Sequence, residues 1–293
     1  MFKRALNIIF ILIVMQSYAY AEKRIKVVTT IPPVAFFIEN IGSEKVEIET
    51  LIPPWGNPHT YEPTHKQMNI LSKADLFVKA GSGIEFELLW MKRLIALNKK
   101  MTVCDSSESI HLIDIPDNEH EGKGDEDHHN YHYKDPHIWL SPDNAVMMSQ
   151  NILRAIIDID PSSTEYYEKN FTKLVNNLLS LKKDINKRLK NIKNRQFYIF
   201  HPAWGYFARD FNLLQIPVEY SGKEPTPARM ARLIKRAKQE NIRVIFTSPQ
   251  FSKKSAEVIA NEIDGSVVFI DPMAGDYLNN LEHIAQLFLE NMK

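Results

Sequence analysis

The sequence predicts an α/β protein of two lobes, each a small, mainly parallel sheet flanked by helices, joined by one long rigid helix. Three observations predict it. Short apolar runs alternate with helix-length amphipathic ones through the first half of the chain, the pattern of βαβ units. The alternation restarts in the second half. Between the halves, residues 162–193 contain neither glycine nor proline, and apolar residues recur three or four positions apart with lysines between.

In the first half, strands are expected at Ile25–Thr29, Val46–Ile52, Leu76–Ala80 and Met101–Cys104. Helices are expected near Val34–Ile41, Thr64–Lys73 and Phe86–Asn98. A further helix, Asn144–Ile157, follows Pro142 with Asp143 as its expected cap. Ser162 and Glu165 fit a capping box that opens the long helix. About 30 residues at about 1.5 Å each make a rod of about 45 Å. The second half places strands at Phe197–Phe200, Leu214–Val218, Arg243–Thr247 and Val267–Ile270. Its helices fall near Ala203–Asp210, Pro227–Gln239, Lys253–Ile263 and Tyr277–Asn291, with Thr226 capping Pro227 at the first helical position. The resulting division is residues 22–160, 161–193 and 194–293.

Residues 1–21 read as a signal peptide. Lys3 and Arg4 precede the apolar run Ala5 to Met15, and Ala19-Tyr20-Ala21 offers small residues where a signal peptidase cuts. Roughly 11 apolar residues fall short of the ~20 a spanning helix needs. Cleavage after Ala21 therefore predicts an exported, periplasmic protein. Losing Lys3 and Arg4 leaves 34 basic and 36 acidic residues, net −2, which points to neither nucleic acid nor an anionic membrane. Cys104 is alone, so no internal disulfide forms, and its place in Met101-Thr102-Val103-Cys104 suits a buried strand thiol.

Histidine is concentrated in one place. Five of the ten histidines, His120, His128, His129, His132 and His137, lie within eighteen positions, and the first four sit among acids in a segment, residues 118–134, that has little to pack. These four are candidate secondary metal sites, or the segment simply solvates. Beyond it, Asp135-Pro136-His137-Ile138-Trp139-Leu140-Ser141-Pro142 sets His137 on a stiff loop between a proline and apolar anchors. His59 follows a strand across Pro53-Pro54-Trp55-Gly56-Asn57-Pro58. His201 and Asp271 each come directly after an apolar strand and before a proline. Ligands of open parallel sheets bind beyond the carboxyl ends of strands, so two such residues from each half suit a cleft between lobes. Taken singly, each is as well read as a core histidine or a turn, and the spacing matches no local zinc pattern.

As a set, Pro58-His59-Thr60-Tyr61-Glu62-Pro63, Asp135 to Pro142, Phe200-His201-Pro202-Ala203-Trp204-Gly205-Tyr206-Phe207 and Asp271-Pro272 resemble the metal-binding solute-binding proteins of ABC transporters, in their zinc-specific ZnuA type. The resemblance covers essentially the whole mature chain. It implies two four-stranded α/β lobes, metal in the interlobe cleft, and delivery to a membrane permease driven by a cytoplasmic ATPase. Carried over by position, His59, His137 and His201 are the imidazole ligands of Zn2+ and Asp271 the carboxylate ligand. Three imidazoles and one carboxylate suit zinc, whereas manganese favours more oxygen. The sequence departs from the family pattern at Pro202, where aspartate is common, and at Ser248, where many members have glutamate.

Around the site, Trp55, Tyr61, Trp139, Trp204, Tyr206 and Phe207 are expected to wall the cleft or to serve as ordinary core aromatics, and Glu62 to orient His59. His65, His111 and His283 are expected on the surface or in structural roles. The expected function is binding without catalysis, as a monomer, with zinc affinity falling below about pH 6 as the imidazoles protonate. The rivals are a manganese or iron importer of the same fold and an exported zinc hydrolase. The hydrolase lacks the glutamate of a His-Glu-x-x-His motif.

Overall fold

The computed structural model describes residues 24–115, 134–219, 225–251 and 253–292. Two four-stranded parallel sheets organise them. β1 (Ile25–Thr29), β2 (Val46–Thr50), β3 (Leu76–Lys79) and β4 (Thr102–Asp105) lie in the order β2-β1-β3-β4. β5 (Gln196–Ile199), β6 (Leu214–Pro217), β7 (Val244–Thr247) and β8 (Ser266–Phe269) repeat it as β6-β5-β7-β8. Every expected strand is present within two residues of its expected ends. Central strands are covered on both faces, which is why β7 is buried at all four positions, while edge strand β2 alternates apolar and acidic residues.

In the first lobe the helices are α1 (Pro32–Gly42), α2 (His65–Leu71), α3 (Glu85–Leu97) and α4 (Pro142–Ile159). The linking helix α5 runs Thr164–Leu189. The second lobe has α6 (Gly205–Asp210), α7 (Pro227–Gln239), α8 (Lys254–Glu262) and α9 (Tyr277–Asn291). Among the described residues no helix is long and apolar enough to cross a membrane. The expected signal peptide and the secondary-site histidines His120, His128, His129 and His132 lie outside the described residues. The chain leaves and re-enters that second gap at a bridge between Asp114 and Lys134, reinforced by their ion pair at 2.7 Å.

Two caps differ from expectation. Ser141, not Asp143, opens α4: the residue before a proline is held extended, so Ser141 takes the cap position and its Oγ accepts from Asn144 N at 3.1 Å. Asp143 instead pairs with Lys182 on α5. The Ser162–Glu165 capping box is absent. Pro161–Ser163 form a 3-10 turn in which Ser162 Oγ donates to Asp160 Oδ1, and α5 starts only at Thr164. Its 26 residues span about 39 Å, shorter than expected. Thr226 does cap α7, accepting from Arg229 N.

Tyr167, Leu174, Leu178, Leu181, Ile185 and Leu189 form the buried stripe of α5, which packs on α1 and α4 in one lobe and on α9 in the other. One apolar core therefore runs through both lobes. Phe37 meets Tyr277 at 4.9 Å, and Phe197 and Phe246 each meet Phe288 at 4.9 Å. A second cluster, including Tyr198, Ile245 and Ile259, is confined to the second lobe.

The lobes also share polar clamps. Tyr206 Oη donates to Asp135 O (2.8 Å) and Trp139 Nε1 to Pro272 O (2.7 Å), while Tyr277 Oη donates to Trp139 O (2.7 Å). Gly205 permits this approach, because a Cβ there would sit 2.4 Å from Asp135 Oδ2 and 3.2 Å from Ile113 Cδ1. Asp135 is buried and tied down, so it has little room to retreat. We expect Gly205→Ala to destabilise the protein by about 1–2 kcal/mol. Overpacking costs about 1–3 kcal/mol, and replacing a helical glycine recovers up to about 1. A denaturant titration checks this; an unchanged midpoint would show that the clamp yields.

Candidate metal centre

Three turns of one design present the site. In Asn57-Pro58-His59, Asn57 Oδ1 accepts from His59 N at 2.9 Å. In Asp135-Pro136-His137, Asp135 Oδ1 accepts from His137 N at 2.9 Å. In Asp271-Pro272-Met273, Asp271 Oδ1 accepts from Met273 N at 2.8 Å. The Asx side chain mimics a backbone turn while the proline in its middle fixes its own φ, so local chemistry aims the third side chain. His201 is placed differently, directly beyond β5, in the crevice where the strand order of the second sheet reverses.

The structure brings His59, His137 and His201 together. His201 Nε2 lies 3.2 Å from His137 Nε2 and 3.4 Å from His59 Nε2. Their side chains are 22%, 11% and 6% exposed for His59, His137 and His201 respectively. They line a cavity of about 20 Å³ with Glu85, Trp139, Gln250, Phe251 and Met273, room for one water-sized body. Among the described residues no three His, Cys, Asp or Glu side chains already surround a common point as a finished cage. What stands is two nitrogen pairs that share His201.

Each Nδ1 has its own carboxylate. His59 Nδ1 donates to Glu85 Oε1 (3.0 Å), His137 Nδ1 to Asp135 Oδ1 (2.8 Å) and His201 Nδ1 to Glu219 Oε1 (2.5 Å). A carboxylate only accepts, so each ring carries its proton on Nδ1 and turns a bare Nε2 lone pair toward the cavity. The Nε2 lone pairs that meet at His201 with no proton between them repel one another. A divalent cation placed between them relieves this, as does a proton or a water donating into the cavity, and carboxylate-backed imidazoles are the usual metal-ligating arrangement.

Burial pushes the His201 pKa down to about 4, against the opposing pull of Glu219, so this imidazole stays neutral well below pH 6. Burial alone would raise Glu85; the hydrogen bond and charge of His59 hold it below the ordinary carboxylate value. Behind Glu85, buried Glu87 accepts from Ala80 N (2.7 Å), Gly81 N (2.8 Å) and Thr30 Oγ1 (2.5 Å). This ties the first turn of α3 to the ends of β1 and β3. Gly81 has φ +80°, and a Cβ there would run into Asp105.

Asp271 is not among the residues that line this cavity, although its neighbours Pro272 and Met273 are, and it has no hydrogen bond to the imidazoles. Its Oδ1 accepts from Gln250 Nε2 and Met273 N, both at 2.8 Å. Glu62 is exposed and does not reach His59; Glu85 has the role expected of it. Of the expected wall, Trp139 lines the cavity, whereas Trp55 is 76% exposed and Trp204, Tyr206 and Phe207 are interior packing residues. Tyr61 packs against Phe86 with the rings tilted, centroids 6.1 Å apart. His65, His111 and His283 are on the surface.

Sequence reasoning did not single out Glu85, Glu219, Gln250 or Phe251. Phe251 stacks on the His201 ring, centroids 4.4 Å apart. Glu219 carried the signal that marked His201, a polar residue just past a buried strand. Parallel pairing of Ile199 with Pro217 sets Glu219 beside His201. Glu85 reads in sequence as an ordinary acidic residue of a first helical turn.

Two parallel α/β lobes around a convergent imidazole cluster define a metal-binding solute-binding protein. The chain belongs to the family described as zinc-uptake complex component A, periplasmic, whose model matches residues 27–291. This is a zinc-binding family of ABC-transporter substrate-binding proteins, named for uptake rather than catalysis. The chain is 32% identical over 254 residues to the high-affinity zinc uptake system protein ZnuA of Bacillus subtilis (strain 168), covering 86% of this chain and 79% of that one. It is 29% identical over 267 residues to the zinc-binding protein AdcA of Streptococcus pyogenes serotype M3, covering 87% of this chain but only 52% of the relative, about half its length. A crystal structure of ZnuA superposes with a TM-score of 0.85 at 35% identity, covering 92% of this chain and 100% of that one.

Because the folded His201 pKa lies below the ordinary value of 6.5, the unfolded chain takes up a proton here that the folded chain refuses. Metal-free protein should therefore lose stability as pH falls from about 6.5 toward 4, by at most about 1.4 kcal/mol per pH unit from this group. Urea titrations at several pH values check it: His201→Gln should flatten this part of the curve, and an unchanged slope would show the proton is bound elsewhere.

Proposed function

We propose that this chain captures Zn2+ as cargo in the interlobe cleft and hands it to an ABC-type import permease with a cytoplasmic ATPase. In this reading residues 1–21 direct export and are removed, and the mature protein works in the periplasm as a monomer. His59, His137 and His201 hold zinc through Nε2, and Asp271 supplies the carboxylate.

One observation supports this above the rest. Four-coordinate zinc with Zn–N of about 2.0–2.1 Å sets its nitrogen ligands about 3.3–3.4 Å apart, and the Nε2 atoms here are already 3.2 and 3.4 Å apart. Neutral imidazoles backed by carboxylates are borderline-soft donors that favour zinc over manganese. The Asp271 Oδ1 atom accepts hydrogen bonds from Gln250 and Met273, both of which line the cavity, and this supports its carboxylate as the further ligand. His120, His128, His129 and His132 are the candidates for weaker capture upstream of the cleft.

The test is retention after stripping. Protein freed of metal, exposed to equal zinc, manganese and iron(II) and then cleared of loose ions, should keep one zinc per chain. His201→Ala should lose it, and deletion of residues 120–132 should keep it. Retained manganese would move the chain to the sister specificity, and no retained metal would overturn the reading. Glu219→Gln, which weakens the partner of His201 Nδ1, should lower zinc affinity about 10- to 100-fold in a chelator competition. Unchanged affinity would mean that packing alone aims the ring.

A further inference from the structure

The three histidines are not held alike. The His137 loop comes from the first half of the chain but is fastened to the second lobe. Trp139 Nε1 donates to Pro272 O, Tyr277 Oη to Trp139 O and Tyr206 Oη to Asp135 O, all at 2.7–2.8 Å, and Ser141 Oγ bonds Asp210 Oδ2. His137 and His201 thus share one rigid frame. The His59 loop has far less. Its own turns close with Gly56 N to Pro53 O and with Thr60 N and Tyr61 N to Asn57 O, and Trp55 stands out in solvent. Among the described residues, the hydrogen bond it receives from a second-lobe donor outside the histidine cluster is a single one, Gln250 Nε2 to Pro54 O at 2.8 Å.

That same Nε2 also donates to Asp271 Oδ1 at 2.8 Å. A carbonyl and a carboxylate can only accept, so both amide protons are committed and the amide has one orientation. Gln250 sits just past β7 on the turn closed by Phe251 N to Ser248 O, at the reversal of strand order. Its Oε1 is buried and has no hydrogen-bond partner, so the side chain is held there by its donors alone.

We propose that the Gln250 amide is an interlobe latch, joining the His59 loop to Asp271 and so setting how long a divalent cation stays in the cleft. This rests on the cleft being the zinc site. A cation meets His137 and His201 in their fixed frame; the His59 loop then seats, and Gln250 retains it. Gln250 acts as a positioning residue through Pro54 and Asp271, without ligating the ion itself.

The experiment compares zinc release into excess chelator with zinc association for wild type, Gln250→Met, His59→Ala and the double variant. Methionine keeps the length and removes both donors. Release from Gln250→Met should be about five- to tenfold faster, the worth of one or two hydrogen bonds, with association changed less than about twofold. In the His59→Ala background the same substitution should accelerate release clearly less than in wild type, because the loop no longer delivers a ligand and only the orientation of Asp271 is left to lose. Equal release rates for wild type and Gln250→Met, or the same acceleration with and without His59, would overturn the latch. Amide exchange in zinc-free protein gives an independent reading. Residues 53–61 should exchange faster in Gln250→Met while residues 135–141 do not change, and equal loosening of both segments would also overturn it. Wild-type protein that retains no zinc would overturn the zinc reading itself, and the exchange comparison would still decide whether Gln250 holds the loop.

Discussion

A neutral imidazole has one proton to donate and one lone pair to offer, and the cleft depends on how that proton is disposed. Glu85, Asp135 and Glu219 each accept a hydrogen bond from the Nδ1–H of one histidine, so all three Nε2 lone pairs face one small cavity. The arrangement by itself is costly, because like dipoles approach and a buried glutamate and imidazole sit together away from water. The common core through both lobes, the Tyr206, Trp139 and Tyr277 clamps and the Glu87 tie beneath α3 hold it in place. Rigidity elsewhere maintains the unfavourable geometry here.

That division explains the build of the molecule. Two lobes with separate cores would let the cleft gape. Here α5 lies along both, and aromatic rings from α1 and α9 interlock across the boundary. In the proposed latch the adjustable element at the cleft mouth is the His59 loop, which among the described residues receives one hydrogen bond from a second-lobe donor outside the histidine cluster, Gln250. In the proposed reading, in which this chain carries zinc to a partner, one adjustable ligand in a stiff frame would let the site both hold its cargo and surrender it.

Much of this was legible in the chain. The strands and most helices fall where apolar periodicity puts them, because period two and period 3.6 are properties of the local backbone. The aim of His59 and His137 is also local: an Asx-Pro-His turn orients its third residue without help from the fold, and Asp271 opens a turn of the same kind. The two misplaced caps show the limit. Ser141 displaced Asp143 because the proline decides which residue is last outside the helix, and Ser162 turned to Asp160 once Pro161 had started a 3-10 turn.

What only the tertiary structure decided is which side chains stand behind the histidines. Glu219 reaches His201 because parallel strands β5 and β6 pair in a register that brings positions eighteen apart side by side. Glu85 reaches His59 because the segments after β2 and β3 meet beyond the carboxyl ends of the strands, across β1, and Gln250 reaches Pro54 across 196 positions of chain. The sequence by itself determined the elements, the turns that present His59 and His137, and the donor types available. Strand register and lobe apposition decided the proton of each imidazole and the tether of each loop, because hydrogen bonds act over about 3 Å in space and carry no signature of separation along the chain.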